Sequence, residues 1–187
     1  MSSRSIALTG MMGAGKSTVG RRLAEVLGRR VADTDDELRR WTGRSIPQLF
    51  AEHGEPGFRA LERQVVVELA RFHDLVLSLG GGVVLDDDNV AELLLTGVIV
   101  HLDVPVAELA ARLQAPGEAA DRPLLAGDLA ARLQATHAAR DARYREVADL
   151  VVDATGPVDD IVTAICAGAM EQGDVLTPSE HEQVMTT

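Results

Sequence analysis

Residues 10–18 have the composition and spacing of a phosphate-binding loop. They read Gly-Met-Met-Gly-Ala-Gly-Lys-Ser-Thr and match the pattern G-x-x-x-x-G-K-[ST]. In such a loop, glycines let successive backbone N–H groups turn toward the oxygens of a polyphosphate. The lysine is then placed to hold the β- and γ-phosphates, and the next hydroxyl is placed to ligate Mg²⁺. The predicted contacts of the loop are Gly13, Ala14, Gly15, Lys16, Ser17 and Thr18.

The residues on either side of this loop support the prediction. Residues 4–9 form a short apolar run typical of a strand, and residues 17–27 have the spacing of an amphipathic helix. Strand, glycine loop and helix N-terminus therefore follow in the required order, and the helix dipole adds to the anion site. Lys16 is the only lysine among 18 basic residues, which suits a cradle for a compact ammonium group. A glycine-rich turn that binds nothing is the disfavoured alternative.

Two carboxylates follow the second predicted strand. Asp33 and Asp35 flank Thr34, at the end of the strand where parallel sheets bind their ligands. If the strand continues, alternation sends both carboxylates to one side, so one serves Mg²⁺ and the other a substrate hydroxyl. The alternative is that Asp35 only caps the following helix, a role that aspartate fills well.

A second polar cluster lies among aromatic residues and glycines. Phe50 and Phe58 are two of three phenylalanines, and Arg59 and Glu62 share one helix face and can pair. A solvated ion pair beside core phenylalanines is the alternative. Residues 80–82 are three glycines that follow an apolar strand, which lets the backbone approach a ligand closely.

Arginines in the second half of the chain are candidates for binding anions. Residues 115–121 form a polar loop with proline and glycine, and we expect this loop to be part of a lid. Arg122 follows it and is a candidate to stabilise charge on a transferring phosphoryl group, the alternative being a solvated loop arginine. Arg140, Arg143 and Arg145 lie along one helix, and at most one or two of them can face inward.

The pattern of the whole chain predicts an α/β fold with a parallel sheet, because apolar strand-like runs alternate with helical patterns. The predicted strands are 5–9, 30–33, 75–79, 98–102 and 150–152. The predicted helices are 17–27, 36–41, 46–52, 58–72, 89–95, 106–114, 129–147 and 158–170. Periodicity is lost from residue 171 onward, so residues 171–187 are expected to form a disordered tail.

Composition bounds the function further. The 187 residues suit one domain, and a net charge of −11 argues against a nucleic-acid partner. The single cysteine, Cys166, lies in an apolar run and suits a reducing cytoplasm. No signal peptide and no membrane span are expected. The five histidines show no metal-ligand spacing and are interpreted as structural or solvated.

Taken together, these motifs resemble the shikimate kinase family, which are P-loop kinases of the nucleoside-monophosphate-kinase type. The resemblance covers roughly residues 4–168, and its five motifs occur in order. They are the phosphate loop, Asp-Thr-Asp, Gly-Phe-Arg, Gly-Gly-Gly and Arg-Pro-Leu-Leu. The resemblance implies a three-layer α/β/α fold whose five parallel strands run in the order 2-3-1-4-5. It also implies that the γ-phosphoryl group of ATP passes to the 3-hydroxyl of shikimate, with Mg²⁺, in chorismate and aromatic amino-acid biosynthesis.

The resemblance also implies roles for individual residues on the ATP side. Ser17 would ligate Mg²⁺ with Asp33 assisting, and Arg122 would swing in with the lid to stabilise the transfer. Arg112 would lie against adenine, and residues 153–157 would complete the base pocket. The base-pocket residues carried over are Asp153 and Pro157.

On the acceptor side, the resemblance makes Asp35 the partner of the 3-hydroxyl, as orienter and general base. Arg59 and Arg140 would clamp the shikimate carboxylate, with Glu62 positioning Arg59. Phe50 and Phe58 would line the ring face, Gly81 would offer its backbone, and Gly80 and Gly82 would shape the turn. The implied enzyme is a cytoplasmic monomer with one domain over residues 1–170, a substrate-binding helical part over 34–62 and a lid over 113–126.

Two alternatives stay open. One is a related small-molecule kinase on the same fold, such as gluconate kinase. The other is a non-catalytic nucleotide-binding protein. A GTPase-type switch is excluded because its Asn-Lys-x-Asp motif needs a lysine besides Lys16.

Overall fold

Five parallel strands form the centre of the molecule in a computed structural model that describes residues 3–115 and 128–186. The strands are β1 (Ser5–Thr9), β2 (Arg30–Asp33), β3 (Leu75–Ser78), β4 (Gly97–Asp103) and β5 (Leu150–Asp153). Their order is β2-β3-β1-β4-β5, and Ile6 of β1 lies in register with Val76 of β3 and Val98 of β4. The predicted parallel sheet and its strand order are confirmed.

Helices cover both faces of the sheet, so the fold has three layers. They are α1 (Lys16–Leu27), α2 (Thr34–Thr42), α3 (Ile46–Leu69), α4 (Asp87–Thr96), α5 (Val106–Gln114), α6 (Leu129–Val147), α7 (Val158–Glu171) and α8 (Pro178–Thr186). Gly20 of α1 lies against Leu8, whereas His101, the register partner of Thr9, lies against Tyr144 of α6. Adjacent residues of a strand point to opposite faces, so α1 and α6 pack on opposite sides of the sheet.

The central strands are apolar along their length because both of their faces are buried. Ile6, Leu8, Val76 and Ile99 are each completely or almost completely buried. This core holds the carboxyl ends of β1, β2 and β3 side by side. Among residues 3–115 and 128–186, no helix combines the length and the apolar character that a membrane crossing would require.

The region between β2 and β3 differs from the prediction in its boundaries. α2 begins at Thr34 rather than at residue 36, because Asp33 caps its N-terminus. The two helices predicted over 46–52 and 58–72 form one element, α3, which Gly54 interrupts with φ 64° and ψ −179°. Such a backbone favours glycine, and Pro56 just after it cannot donate a helical hydrogen bond.

The C-terminal segment also differs from the prediction, because it contains buried residues and a helix where a disordered tail is expected. Val175 and Leu176 are buried, and α8 follows them. The Glu180 carboxylate pairs with the Arg29 guanidinium at 2.7 Å, and the Arg29 side chain is only 1% exposed. The cause is a contact across 151 positions of sequence, which local periodicity does not report.

Candidate active site

The phosphate-binding loop connects β1 to α1 and depends on glycines with positive φ. Gly10, Gly13 and Gly15 have φ values of 142°, 81° and 92°. There is also too little room for a side chain, since a Cβ at Gly10 would lie 2.8 Å from the Leu102 carbonyl oxygen. A Cβ at Gly13 would lie 3.0 Å from Leu113 Cγ. The loop therefore keeps its shape only with glycine at these positions.

The Lys16 ammonium lies within this loop. Lys16 Nζ donates to the carbonyl oxygens of Gly10 and Met11, at 2.9 and 3.1 Å. The remaining predicted contacts lie just before α1 or in its first turn: Ala14, which is buried, and Ser17 and Thr18, which are exposed. This placement puts a positive charge and the N-terminus of α1 on the same side of the loop.

Three oxygen-bearing side chains meet beside the first turn of α1. Ser17 Oγ donates to Asp33 Oδ2 at 2.9 Å and lies 3.2 Å from Ser78 Oγ. The other oxygen of Asp33 accepts from the backbone N–H of Asp35 and Asp36, at 3.0 and 3.3 Å. Hydroxyl and carboxylate oxygens are the donors that Mg²⁺ prefers, so this set fits that ion. Ser78 was missed in the sequence, where it is only one polar residue within the apolar strand predicted over 75–79.

Asp35 is in the first turn of α2 rather than at its cap, a role that Asp33 fills. Its carboxylate lies against Gly80, where a Cβ would be 2.9 Å from Asp35 Oδ1. Thr34 Oγ1 accepts from the backbone N–H of Gly80 at 2.8 Å and fixes the glycine turn to α2. Burial raises the pKa of Asp35, and the negative charge of Asp33 raises it further, against the effect of nearby cations that include Lys16. A carboxylate with a raised pKa is a better proton acceptor.

The Arg59 guanidinium is fixed between a buried carboxylate and a glycine. Arg59 Nη1 donates to Glu62 Oε2 at 2.6 Å, and the Glu62 side chain is 2% exposed, so this is not a solvated pair. Burial raises the pKa of Glu62, although Arg59 opposes the shift. A Cβ at Gly82 would lie 2.6 Å from Arg59 Cζ, so a larger residue there would displace the guanidinium from its present position. Beside the pair, the rings of Phe50 and Phe58 stack with centroids 4.1 Å apart, and Phe58 is the buried member.

The carbonyl of Gly81 receives two donors from α6. Arg140 Nη1 donates to it at 3.1 Å and Tyr144 Oη at 2.6 Å. Tyr144 is 1% exposed, and burial raises the pKa of its hydroxyl, although the hydrogen bond with Arg140 opposes this. Of the three candidate arginines Arg140, Arg143 and Arg145, Arg140 is the one that donates to the glycine turn. Tyr144 was missed in the sequence, where the available signals are that it is the only tyrosine and follows Arg140 by one helical turn.

Comparison with known proteins identifies the family. The shikimate kinase family model matches residues 12–169. A shikimate kinase of Synechococcus sp. (strain RCC307) is 50% identical over 151 residues, which cover 80% of this chain and 75% of the relative. The chain belongs to the shikimate kinase family. Its predicted family and its predicted class, an ATP-dependent phosphotransferase, are confirmed.

Further relatives of the shikimate kinase family agree over most of the chain. A shikimate kinase of Geobacter metallireducens is 44% identical over 164 residues, 87% of this chain and 89% of the relative. The solved structure of shikimate kinase from Acinetobacter baumannii in complex with shikimate superimposes with a TM-score of 0.82. It is 39% identical and the match covers 91% of this chain and 95% of that one. A gluconokinase from Sinorhizobium meliloti 1021, at 19% identity and a TM-score of 0.62, shares the fold alone.

In this shikimate kinase family member, Arg112 joins the phosphate loop to the turn after β5. Arg112 Nη2 donates to the Ala154 carbonyl at 2.8 Å, and Arg112 Nη1 would be 4.0 Å from a Cβ at Gly15. Asp153 is exposed, and hydrogen bonds from the Thr155 hydroxyl and backbone N–H lower its pKa. Pro157 is exposed and precedes α7 as its N-cap residue. These residues line the side of the loop away from Asp35 and the glycine turn.

The predicted lid falls largely outside the part of the chain that the structure describes. α5 ends at Gln114, and description resumes at Asp128, just before α6. Arg122 lies in the interval between them, so its predicted role stays a prediction.

Proposed function

We propose that this chain transfers the γ-phosphoryl group of ATP to the 3-hydroxyl of shikimate, giving shikimate 3-phosphate and ADP. The observation that carries the proposal is the convergence of three side chains on one glycine turn. The Asp35 carboxylate lies against Gly80, the Arg59 guanidinium against Gly82, and Arg140 donates to the Gly81 carbonyl. One general base and two cations around one glycine turn suit a ligand with a hydroxyl and a carboxylate. The Acinetobacter relative, solved with shikimate, supports this choice of ligand.

On the nucleotide side, we assign the triphosphate to the loop over residues 10–18. The backbone N–H groups and the Lys16 ammonium would hold the phosphates, and Arg112 with residues 153–157 would hold the base. Ser17 and Asp33 would hold Mg²⁺, which supplies neutralising charge to the β- and γ-phosphates when bound. The close approach of Ser17 Oγ to Asp33 Oδ2, 2.9 Å, supports this assignment because both oxygens can serve one ion.

On the acceptor side, Asp35 would align the 3-hydroxyl and take its proton while the oxygen attacks the γ-phosphorus. The bond from that phosphorus to the β–γ bridging oxygen breaks as the new P–O bond forms, and ADP leaves with the bridging oxygen. Little covalent work is left for the protein, so positioning and charge stabilisation dominate the rate. Arg122 would add positive charge to the transferring group, and closure of a lid over 113–126 would exclude water.

Arg59 and Arg140 would bind the acceptor carboxylate, and Phe50 and Phe58 would contact its ring. Glu62 supports this role for Arg59 because a buried carboxylate at 2.6 Å restricts the guanidinium to one position. We further propose that residues 1–170 make up one kinase domain, with residues 34–62 as its substrate-binding part. The proposed enzyme acts as a monomer in the cytoplasm, without a nucleic-acid or membrane partner.

The deciding experiment measures ADP release by a coupled assay with ATP and Mg²⁺, with shikimate, with gluconate, or with no acceptor. We expect release only with shikimate, and mass spectrometry should identify a singly phosphorylated shikimate. ADP release that is equal without shikimate would remove the transferase activity from the proposal. Release with gluconate alone would instead establish the rival acceptor on the same fold.

A further inference from the structure

A second cluster of candidate metal ligands lies at the end of β4, on the sheet face covered by α6. His101 and Asp103 alternate along β4 and therefore share this face, and Asp141 projects from α6. One ligand atom of each of the three residues lies within 4.8 Å of the corresponding atoms of the other two. The spacing in sequence gives no hint of this cluster, because it depends on how α6 packs on β4.

His101 supplies an independent reason to expect a ligand there. The residue is 2% exposed, and neither ring nitrogen makes a hydrogen bond of normal distance and angle within residues 3–115 and 128–186, although the backbone of Thr9 lies close to the ring. Buried polar groups in native proteins are nearly always satisfied, so an imidazole left in this state calls for a partner. A ring nitrogen of neutral histidine is a common metal ligand.

Arg145 shows that the cluster already attracts a cation. Its Nη2 lies 2.7 Å from Asp103 Oδ2, and its Nε lies 3.1 Å from Asp141 Oδ2. The guanidinium neutralises the two carboxylates but has no hydrogen bond to the His101 ring. The Arg145 side chain is 44% exposed, so it can leave the carboxylates for solvent without entering another packed region.

We propose that His101, Asp103 and Asp141 bind one divalent transition-metal ion of the Zn²⁺ and Co²⁺ type, in competition with the Arg145 guanidinium. A mixed set of imidazole and carboxylate donors suits these ions, whereas Mg²⁺ prefers oxygen alone. His137 lies one helical turn before Asp141, with Nε2 3.5 Å from Asp141 Oδ1, and is the residue that pairs with this carboxylate from its own helix. The site is separate from the Ser17 and Asp33 oxygens, which belong to the nucleotide side.

An ion here would join β4 to the helix that carries Arg140 and Tyr144. Thr9 and His101 are register partners, and a Cβ at Gly10 would lie 3.5 Å from His101 Nδ1, so the site adjoins the start of the phosphate loop. Binding would therefore stiffen the contact between α6 and the loop without touching the reacting groups.

The test is calorimetric titration of the full chain with Zn²⁺, and Co²⁺ titration followed by visible absorption, both in excess Mg²⁺. We expect one ion per chain, with Co²⁺ bands that report nitrogen and oxygen ligands. Asp141→Asn should weaken binding by about tenfold or more, and so should His101→Phe. Arg145→Gln should tighten the binding of Zn²⁺, because the guanidinium that competes for the two carboxylates is removed.

Arg143→Gln is the matched control, since Arg143 lies on the same helix but pairs with Asp87 and Glu146 instead. Its affinity for Zn²⁺ should equal that of the unmodified chain. Unchanged affinity in Asp141→Asn, or weaker binding in Arg145→Gln, would overturn the proposal. If His101→Phe does not fold, Asp141→Asn still decides the question, because the Asp141 side chain is 26% exposed and lies outside the apolar core.

Discussion

Asp35 and Gly80 are in contact, although 45 positions separate them in the sequence. A Cβ at position 80 would lie 2.9 Å from Asp35 Oδ1, closer than real Cβ atoms come to their neighbours. The same Cβ would lie 3.4 Å from Glu62 Oε1, so the glycine also borders the carboxylate that holds Arg59. The first glycine of the turn therefore fixes where the proposed base can lie.

Gly80→Ala is expected to displace the Asp35 carboxylate and to lower kcat by about 10²-fold, since small errors in placing a catalytic group have effects of this size. The KM for ATP should change little, because the phosphate loop is not touched. Steady-state kinetics with each substrate varied checks both values. Thermal unfolding of Gly80→Ala, compared with the unmodified chain, shows whether the variant keeps its fold. A folded Gly80→Ala enzyme as active as the unmodified chain would show that Asp35 has room to move.

Asp35→Asn tests whether this carboxylate takes the proton of the acceptor. The substitution keeps the shape of the side chain but removes the base, so kcat should fall by about 10²–10⁴-fold. Asp36→Asn is the control, because Asp36 is the exposed neighbour that pairs with Arg39. A fall smaller than about tenfold would leave Asp35 with orientation of the hydroxyl as its only role.

Arg59→Ala is expected to weaken the binding of shikimate by about 1.5–3 kcal/mol, the usual contribution of a hydrogen bond to a charged group. The KM for shikimate should rise while the KM for ATP stays constant. Arg63→Ala, one turn further along α3, removes an arginine that pairs with Asp88 at the surface and should leave both constants unchanged. Equal KM values for shikimate in the two variants would place Arg59 outside the acceptor site.

Arg122→Ala addresses the part of the site that rests on sequence alone. An arginine that stabilises a transferring phosphoryl group typically contributes 10³-fold or more, so we expect kcat to fall by about that factor. Thermal unfolding of the variant, compared with the unmodified chain, shows whether the loss is catalytic or structural. Turnover close to normal would remove Arg122 from the mechanism.

Local pattern was sufficient for the parts of the site that lie within single elements. The phosphate loop, the aspartates after β2 and the glycines after β3 follow from residue types next to predicted strands. The Arg59–Glu62 pair follows from helical spacing, although its burial does not, because exposure depends on what α3 packs against. The strand order needed the family resemblance, since periodicity predicts strands but not their neighbours.

The sequence does not predict residues whose roles depend on contacts with distant parts of the chain. Tyr144 binds the Gly81 carbonyl across 63 positions, and Ser78 meets Ser17 across 61. His101 is interpreted from the sequence as structural or solvated because the five histidines show no metal-ligand spacing, and its neighbour Asp141 comes from another element. The sequence predicts the start of α2 at residue 36 instead of Thr34, because an aspartate can either cap a helix or bind a ligand. In the structure Asp33 does both kinds of bonding: it accepts from the Asp35 backbone N–H at the helix start and from the Ser17 hydroxyl.

The pair of Arg29 and Glu180 makes the stability of the chain depend on pH through its C-terminal helix. Burial alone would raise the pKa of Glu180, but hydrogen bonds from Arg29 and Thr177 outweigh it, so the pKa in the folded chain is lowered. A lowered pKa means that the carboxylate stabilises the fold above the pKa of the unfolded chain, about 4 for glutamate. This contribution is lost as the pH falls through the lower pKa of the folded state.

Glu180→Gln is therefore expected to lower the free energy of unfolding by about 1–3 kcal/mol at neutral pH, because the substitution leaves the buried Arg29 guanidinium without its charged partner. The difference from the unmodified chain should shrink in urea titrations carried out progressively below about pH 4, where Glu180 becomes protonated. Asp174→Asn is the control, since Asp174 forms an exposed pair with Arg4 at 3.5 Å that should contribute less than about 1 kcal/mol. A loss in Glu180→Gln that stays the same from neutral to acid pH would show that the C-terminal segment is held by its buried apolar residues, Val175 and Leu176, and not by the ion pair.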